Sequence, residues 1–560
     1  MDAPFHVPDV WRELRELPVT RKVLFVCPQF PVTYWSWHFS IRDLLGFNRR
    51  SYAPPLDLLT VAAFFPDHWP MRLVDENIHA LTDEDLAWAD VVVTVANRVQ
   101  MESLERIIHR AHELGKPVVL GGLDPSMRPH YYDTVDYLHA GLIGDATRDL
   151  LLALAQNAAR PAERQVFTVQ QELHISDYPP PRYELIDTGE YLAVSLQFAV
   201  GCPFKCEFCE VAPYYGRQPR VKTPDQVLHE LDKLYAMGYR GVVVFVDDNF
   251  VGNLSAAKQT IELLLRWQQS HGHPFQFFAS ASANLAERPD VMDLMSACGF
   301  FCVFVGIETP NAKDLKAIQK TQNIFTSTLE IVATIQRHGI QVYGAFILGF
   351  DTEGADAGDN IVDFVESAAI CTPILSLMTA SQGTALYNRL LAEGRLVTQT
   401  QKGPFIDSNV VYQKGQTEVF RQYVDTYNRL YDPRAFFRRL RRNMQTCKID
   451  DKQYGKSLPF HLRLKALPRM IWHMGIKPSW RWSFWRVFLF SIANKTFNYF
   501  GYMAFMGYHY IHFSKALSAN PPLAVTAELL PTSAQPGSNA DSPLDYARVK
   551  DGPMVYHESC

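Results

Sequence analysis

Cys202, Cys206 and Cys209, three cysteines within eight residues, are the densest chemistry in this sequence. They stand in Gly201-Cys202-Pro203-Phe204-Lys205-Cys206-Glu207-Phe208-Cys209, directly after an apolar run. A CxxxCxxC loop offers three thiolates from one short stretch, which leaves one iron of a [4Fe–4S] cluster without a protein ligand. An iron left open in this way can chelate the amino and carboxylate groups of S-adenosylmethionine. An electron passed to the sulfonium then breaks a C–S bond and yields a 5′-deoxyadenosyl radical. Zinc is the competing use of these thiols. Zinc normally takes four ligands in paired spacing, and no second pair follows. Cys298 and Cys302, in CGFFC, read as core thiols, as do the remaining cysteines.

The elements that must position this loop are alternating strands and helices. Strands are expected at Leu192–Val200, Gly241–Val246, Phe275–Ala281, Phe301–Ile307, Gln341–Leu348 and Ile374–Thr379, with helices such as Thr223–Met237, Ser255–Gln269 and Ser327–His338 between them. Six such units predict a (β/α)6 partial barrel over 191–396. Upstream, residues 20–155 repeat the period. Lys22–Cys27, Met71–Asp75, Ala89–Val95 and Pro117–Leu120 read as buried parallel strands, and Met101–Leu114 as a helix closed by Gly115. A doubly wound, Rossmann-like domain follows from that pattern, with ligands beyond its C-terminal strand ends. Residues 156–190, ending in Tyr178-Pro179-Pro180-Pro181-Arg182, read as a linker.

The bulk properties exclude several classes. With 560 residues, 47% hydrophobic and 20% charged, the chain can bury a large core. A net charge of −5 gives no global pull toward nucleic acid, and none is expected as a partner. Nine cysteines, three of them crowded together, suit a reducing cytosol rather than a disulfide framework. The first twenty residues hold acids and prolines without an apolar segment, so no signal peptide is expected.

The motif with Phe208 before its last cysteine resembles the signature of radical S-adenosylmethionine enzymes. Further family motifs recur in order. Asp247-Asp248-Asn249 stands where the family's GGE-type segment binds the amino group of S-adenosylmethionine, although acids replace the glycines. Ser280 and Ser282, in FFASASANLA, resemble residues that hold its carboxylate or ribose. Glu308, in Gly306-Ile307-Glu308, is a ribose partner by the same likeness. Gly349, in Ile347-Leu348-Gly349-Phe350, matches the segment packed near adenine. The residues themselves leave other uses open: a turn for Asp247–Asn249 and surface capping for Glu308.

The N-terminal domain resembles the cobalamin-binding domain that precedes many such enzymes. Gly121 and Gly122 would let backbone approach a flat, bulky ring, and Asn97-Arg98 would meet its edge. A ligand-free flavodoxin-like domain is the alternative. No DxHxxG motif occurs, so no histidine is marked as lower cobalt ligand and the resemblance implies base-off cobalamin. Where relatives read GEGE, this chain has Gly141-Leu142-Ile143-Gly144-Asp145.

The runs YWSWHFSIRDLLGF, PPLDLLTVAAFFP, CEFCEVAPYYGRQPRVKTPDQVLHELDKLYAMGYRGVVVFVDDNFVGN and YNRLYDPRAFFRRL resemble the branch that includes the hopanoid C2 methylase, over roughly residues 20 to 450. That likeness implies a cobalamin-dependent C-methyltransferase acting on an unactivated carbon, with a lipid or small-molecule substrate and a reductant such as flavodoxin or ferredoxin. No acid–base pair stands out, and the central step requires none. A radical cyclase or C–C bond-forming oxidoreductase that does not use methylcobalamin is the alternative, and an iron–sulfur electron carrier a third. Residues 397–517 are expected to be helical. From Gln453 to Ala527 there is no Asp or Glu, while Lys477, Arg481 and Arg486 interleave with Trp480, Trp482, Trp485 and Phe488. This suits either an ordinary packed domain or peripheral contact with the inner face of an anionic membrane. Residues 518–560, rich in Pro, Ser and Ala, read as a disordered tail.

Overall fold

The computed structural model describes residues 18–46, 51–324, 326–397, 408–455 and 460–520. The expected tail from 521 onward lies outside them. Two six-stranded parallel sheets organise the chain. The first contains β1 (Val23–Cys27), β2 (Met71–Asp75), β3 (Val91–Val95), β4 (Val118–Gly121), β5 (Tyr137–Ala140) and β6 (Gln165–Thr168) in the order β2-β1-β3-β4-β5-β6. The unbroken apolar β1 is wholly buried because helices cover both faces of such a sheet.

The second sheet holds β7 (Ala193–Leu196). A two-residue antiparallel pair follows it, β8 (Ala199–Val200) with β9 (Arg220–Val221). Next come β10 (Gly241–Phe245), β11 (Phe275–Ser280), β12 (Phe300–Glu308), β13 (Gln341–Leu348) and β14 (Ile374–Leu377), and the order β14-β13-β12-β11-β10-β7 makes an open half-barrel. All six expected barrel strands are present; Gln341–Leu348 matches at both ends, and no end shifts by more than four residues. The stretch read as a linker is not all connection: β6 lies inside it and pairs with β5 at the edge of the first sheet.

The half-barrel lumen is only partly filled. On β12, Phe304 and Gly306 are half-buried while Val303, Val305 and Ile307 are buried, and on β13 Ala345 and Ile347 repeat the alternation. Just past β10, Val246 is 43% exposed. Period-two alternation assigns these residues to one face, which is mainly apolar, with Ser280 in register beside Phe304 and Ser376 beside Ile347.

Helices Gln416–Leu430, Pro433–Thr446, Phe460–Met470, Arg481–Ala493 and Phe497–Ala519 close one side of the barrel. Phe497–Ala519 is buried nearly all round, which suits its lack of an amphipathic pattern. No helix among the described residues is long and apolar enough to cross a membrane. The segment after β1 reaches into this helical layer. His509 Nε2 meets the Thr33 carbonyl at 3.1 Å, and Ser40 Oγ donates to the Phe505 carbonyl at 2.5 Å.

Candidate functional site

The cysteine loop is held at both ends. The β8–β9 pair pinches it between Val200 and Arg220. At its root Asp247, just past β10, accepts from Phe198 N and Ala199 N at 2.8 and 2.9 Å, and Asp248 accepts from Gly201 N at 2.8 Å. Burial is the main force on both carboxyls, pushing Asp247 up to about 7 and Asp248 up to about 6. These two acids therefore face the loop's backbone. At the far end Glu207 accepts from Arg389 Nε at 2.7 Å, and Arg389 continues to Asp351 at 2.9 Å. Glu207 and Arg389 were not singled out by sequence reasoning. They are 182 residues apart, and no local pattern joins them.

The three thiols form a shared electrostatic group. Burial raises Cys202 and pushes Cys209 up to about 12; Cys206 adds to the rise in both, and Cys202 adds to that of Cys209. Ligation must therefore displace protons. Two amide donors lie against the sulfurs, Asn249 Nδ2 at 3.8 Å from Cys202 Sγ and Gln322 Nε2 at 3.6 Å from Cys206 Sγ. N–H contacts of this kind support a thiolate-bound cluster.

Asn249 also joins the strand ends. Its Nδ2 donates to Ser282 Oγ at 2.9 Å, its Oδ1 accepts from Ser282 N at 3.2 Å, and Phe250 N donates to the Ser280 carbonyl at 2.9 Å. Asn249, Ser280 and Ser282 thus share one rim with Cys202. Glu308 takes up a left-handed backbone conformation at φ 64° and pairs with Lys320. The pair is buried, and Lys320 Nζ lies 5.9 Å from the Phe208 ring centre, where it feels the charge of Cys206 and Cys209. Gly349, at φ 107°, donates its N–H to Glu353 Oε2 at 2.9 Å.

Across the gap, the first sheet presents its own rim. Gly122, at φ 115°, follows β4, and a side chain there would meet Ala96 O at 3.6 Å. Gly121 precedes it in ordinary backbone. Asn97 is exposed and donates its N–H to Gln100 Oε1 at 2.9 Å, with Arg98 half-buried beside it. Phe30 and Val99, just beyond β1 and β3, are 40% and 43% exposed. Ser126, also not singled out, ties this rim together: its Oγ donates to Gly122 O at 2.6 Å, accepts from Gly141 N at 2.9 Å, and lies 3.3 Å from the Tyr214 hydroxyl on the barrel side. Next to it, Tyr215 feels the charge of both Asp57 from the first domain and Asp248 from the second. The C-terminal rims of the two sheets therefore face each other.

A glycine cradle with apolar walls fits a broad, flat ring. Three thiols with N–H donors fit a cluster, and the Asn249–Ser282 rim beside them fits the polar end of S-adenosylmethionine.

Comparison with known proteins agrees. The radical SAM superfamily model matches residues 196–365, and a domain of unknown function, DUF4070, matches 384–521. The chain is 37% identical over 474 residues to the hopanoid C-2 methylase of Rhodopseudomonas palustris, covering 83% of this chain and 88% of that one. The chain belongs to the cobalamin-binding radical S-adenosylmethionine family, on the branch of that methylase. An uncharacterized methyltransferase of Synechocystis is equally similar, 37% identical with 83% and 86% covered. Among solved structures, OxsB with aqua-cobalamin and S-adenosylmethionine superimposes with a TM-score of 0.54 at 16% identity, covering 91% of this chain and 81% of that one. The methyltransferase TsrM from Kitasatospora setae gives 0.53 at 16% identity, covering 69% and 78%. The chain is thus a radical S-adenosylmethionine C-methyltransferase, and its cofactors are a [4Fe–4S] cluster, S-adenosylmethionine and cobalamin.

Proposed function

We propose that this methyltransferase acts on an unactivated carbon of a hopanoid or other polycyclic lipid, working peripherally at the inner face of a membrane and drawing electrons from flavodoxin or ferredoxin. The observation that carries the reading is the apolar, half-open lumen. Its wall of Val246, Phe304, Ala345 and Ile347 is apolar. Over its mouth lies Trp35, whose ring centre is 5.3 Å from that of Phe304 and which remains 38% exposed. Such a chamber suits a rigid hydrocarbon and keeps water from a radical.

When bound, the cluster supplies the electron that cleaves S-adenosylmethionine, and cobalamin supplies the methyl group. The protein's share is placement. Cys202, Cys206 and Cys209 would hold the cluster, and Asn249 with Ser280 and Ser282 the polar end of S-adenosylmethionine. Glu308 would approach its ribose, and Gly349 its adenine. Asp247 and Asp248 support this arrangement through the loop backbone, and Phe208 packs beneath it. Gly121 and Gly122, with Asn97 and Arg98, would border the corrin. By their place along the chain, 20–155 would serve the corrin and 191–396 the radical chemistry.

The test is anaerobic turnover with a dispersed pentacyclic hopanoid. S-adenosylhomocysteine, 5′-deoxyadenosine and a methylated lipid are expected together. Formation of the two nucleoside products without lipid methylation would overturn the acceptor. Deoxyadenosine alone would favour a cyclase or oxidoreductase.

A further inference from the structure

The six most exposed large apolar side chains of the described residues all fall between 464 and 492. They are Leu464 at 60%, Trp472 at 55%, Ile476 at 50%, Trp482 at 68%, Leu489 at 61% and Ile492 at 52%; none elsewhere exceeds 49%. They lie on the outer face of Phe460–Met470, the π-helical turn Ile471–Ile476 and Arg481–Ala493. The inner face of the same elements is packed. Met470, Met474, Phe484 and Val487 are buried, and the Phe484 ring stands edge-on to Phe437 at 5.9 Å. The outer apolar residues are therefore not a core awaiting a missing helix of this layer; they are a second, outward surface on a folded support. Scattered exposed leucines are ordinary, but six together in one element group are not.

Charge decides what covers them. Lys465, Lys477, Arg481, Arg486 and Lys495 are exposed on the same stretch, and the sequence has no Asp or Glu from 453 to 527. A second copy of this chain would bring like charge to like charge across a two-fold contact. An anionic bilayer accepts both features, with aromatic and aliphatic bodies among the acyl chains and basic heads among the phosphates.

We infer that the helical segment Phe460–Ala493 is a monotopic docking surface for anionic phospholipid bilayers, and that this is a role of the region of unassigned function. The support of this surface is tied to the segment that carries Trp35. Arg469 Nη1 donates to the Leu45 carbonyl at 3.4 Å, and the Ile41–Leu45 turn continues directly from the segment that carries Trp35 to the lumen. Docking thus sets the chamber mouth close to the lipid phase. The purpose rests on the lipid-acceptor reading; the docking itself does not.

The test is co-sedimentation of the full-length chain with vesicles of phosphatidylglycerol and phosphatidylcholine, against pure phosphatidylcholine. Binding is expected to the anionic vesicles, falling as salt rises, and to be weaker by about fivefold for each of K477Q, R481Q and R486Q. A W482E/L489E/I492E variant should lose sedimentation while keeping its far-ultraviolet dichroism and its methylation of detergent-dispersed acceptor. Absence of binding, or equal binding to both vesicle types, would overturn the inference. So would a dimer in light scattering that the triple variant dissolves. Vesicle binding without lipid methylation leaves the docking surface standing and sinks the lipid acceptor; methylation of dispersed lipid without vesicle binding does the reverse.

Discussion

Replacing Asp247 separates scaffolding from ligand binding at the cysteine loop. Its carboxyl is fully enclosed, holds two backbone N–H groups through Oδ1 and has no hydrogen-bond partner at Oδ2. Burial moves it from 3.8 to about 7, a rise of about 3 units, or a ceiling of about 4 kcal/mol at 1.36 kcal/mol per unit. The folded state holds the proton more tightly than the unfolded one. This group's contribution is therefore complete below about pH 4 and is lost as pH rises through about 7. In D247N the amide oxygen still accepts both N–H groups, and its NH2 occupies the unpartnered side at a cost of about 1–3 kcal/mol. At about pH 8.5 the variant should hold the β7–β8 junction more firmly than wild type by roughly 1–3 kcal/mol, and at about pH 5.5 the two should be nearly level. D247A leaves Phe198 N and Ala199 N unpaired, so it should weaken the junction by about 2–4 kcal/mol at about pH 5.5, and by about 2 kcal/mol less at about pH 8.5, where the wild-type carboxylate is itself disfavoured. The assay is amide hydrogen exchange of the 196–202 segment in cluster-free, thiol-reduced protein, corrected for intrinsic rates, followed by iron content after anaerobic reconstitution. Iron should be retained by D247N and reduced in D247A. Equal protection in all three proteins, or a D247N advantage that shrinks as pH rises, would refute the reasoning.

K320M strips the partner from the buried Glu308 and should cost about 3–5 kcal/mol in thermal or urea unfolding, with E308Q/K320M recovering most of it. Electron paramagnetic resonance titration of K320M should also show a lower cluster potential, since a cation near Cys206 and Cys209 has been removed. G349A forces a side chain into a left-handed site 2.5 Å from the Tyr412 ring, which is pinned by its hydroxyl to Met378 O and Ser408 Oγ; a loss of about 2–4 kcal/mol is expected in urea unfolding. W35A should raise the acceptor KM by roughly tenfold, a loss of about 1.4 kcal/mol, while leaving iron content unchanged.

What the sequence revealed follows from how each feature is encoded. Barrel strands such as Val242–Val244 are continuous apolar runs because both faces are covered, and the three cysteines are adjacent in the chain; both are local signals. The strands that escaped notice are short and carry weaker signals. Tyr137–Ala140 is interrupted by the buried His139, and Gln165–Thr168 is an edge strand with two exposed residues. At the site, residue types were legible and directions were not. Asp247 and Asp248 can be picked out in the sequence, but their bonds to Phe198, Ala199 and Gly201 N–H groups depend on the fold. Ser126 and the Glu207–Arg389 clamp gain meaning only from partners far along the chain. The aromatic run around Trp35 was visible as a likeness, but its place over Phe304 depends on the docking of two sheets.

The link between Thr33 and His509 spans 476 residues of chain. Ribosomes add about 5–20 residues per second, so in a cell the segment after β1 waits roughly 25–95 seconds before its partner helix exists. During that interval Tyr34, Trp35, Trp37 and Phe39 have no helical layer to lie against, and the first domain is an unfinished product with a sticky edge. Yield during synthesis should therefore depend on chaperone supply and growth temperature more than on equilibrium stability. A chain shortened before residue 497 would carry that unfinished edge permanently.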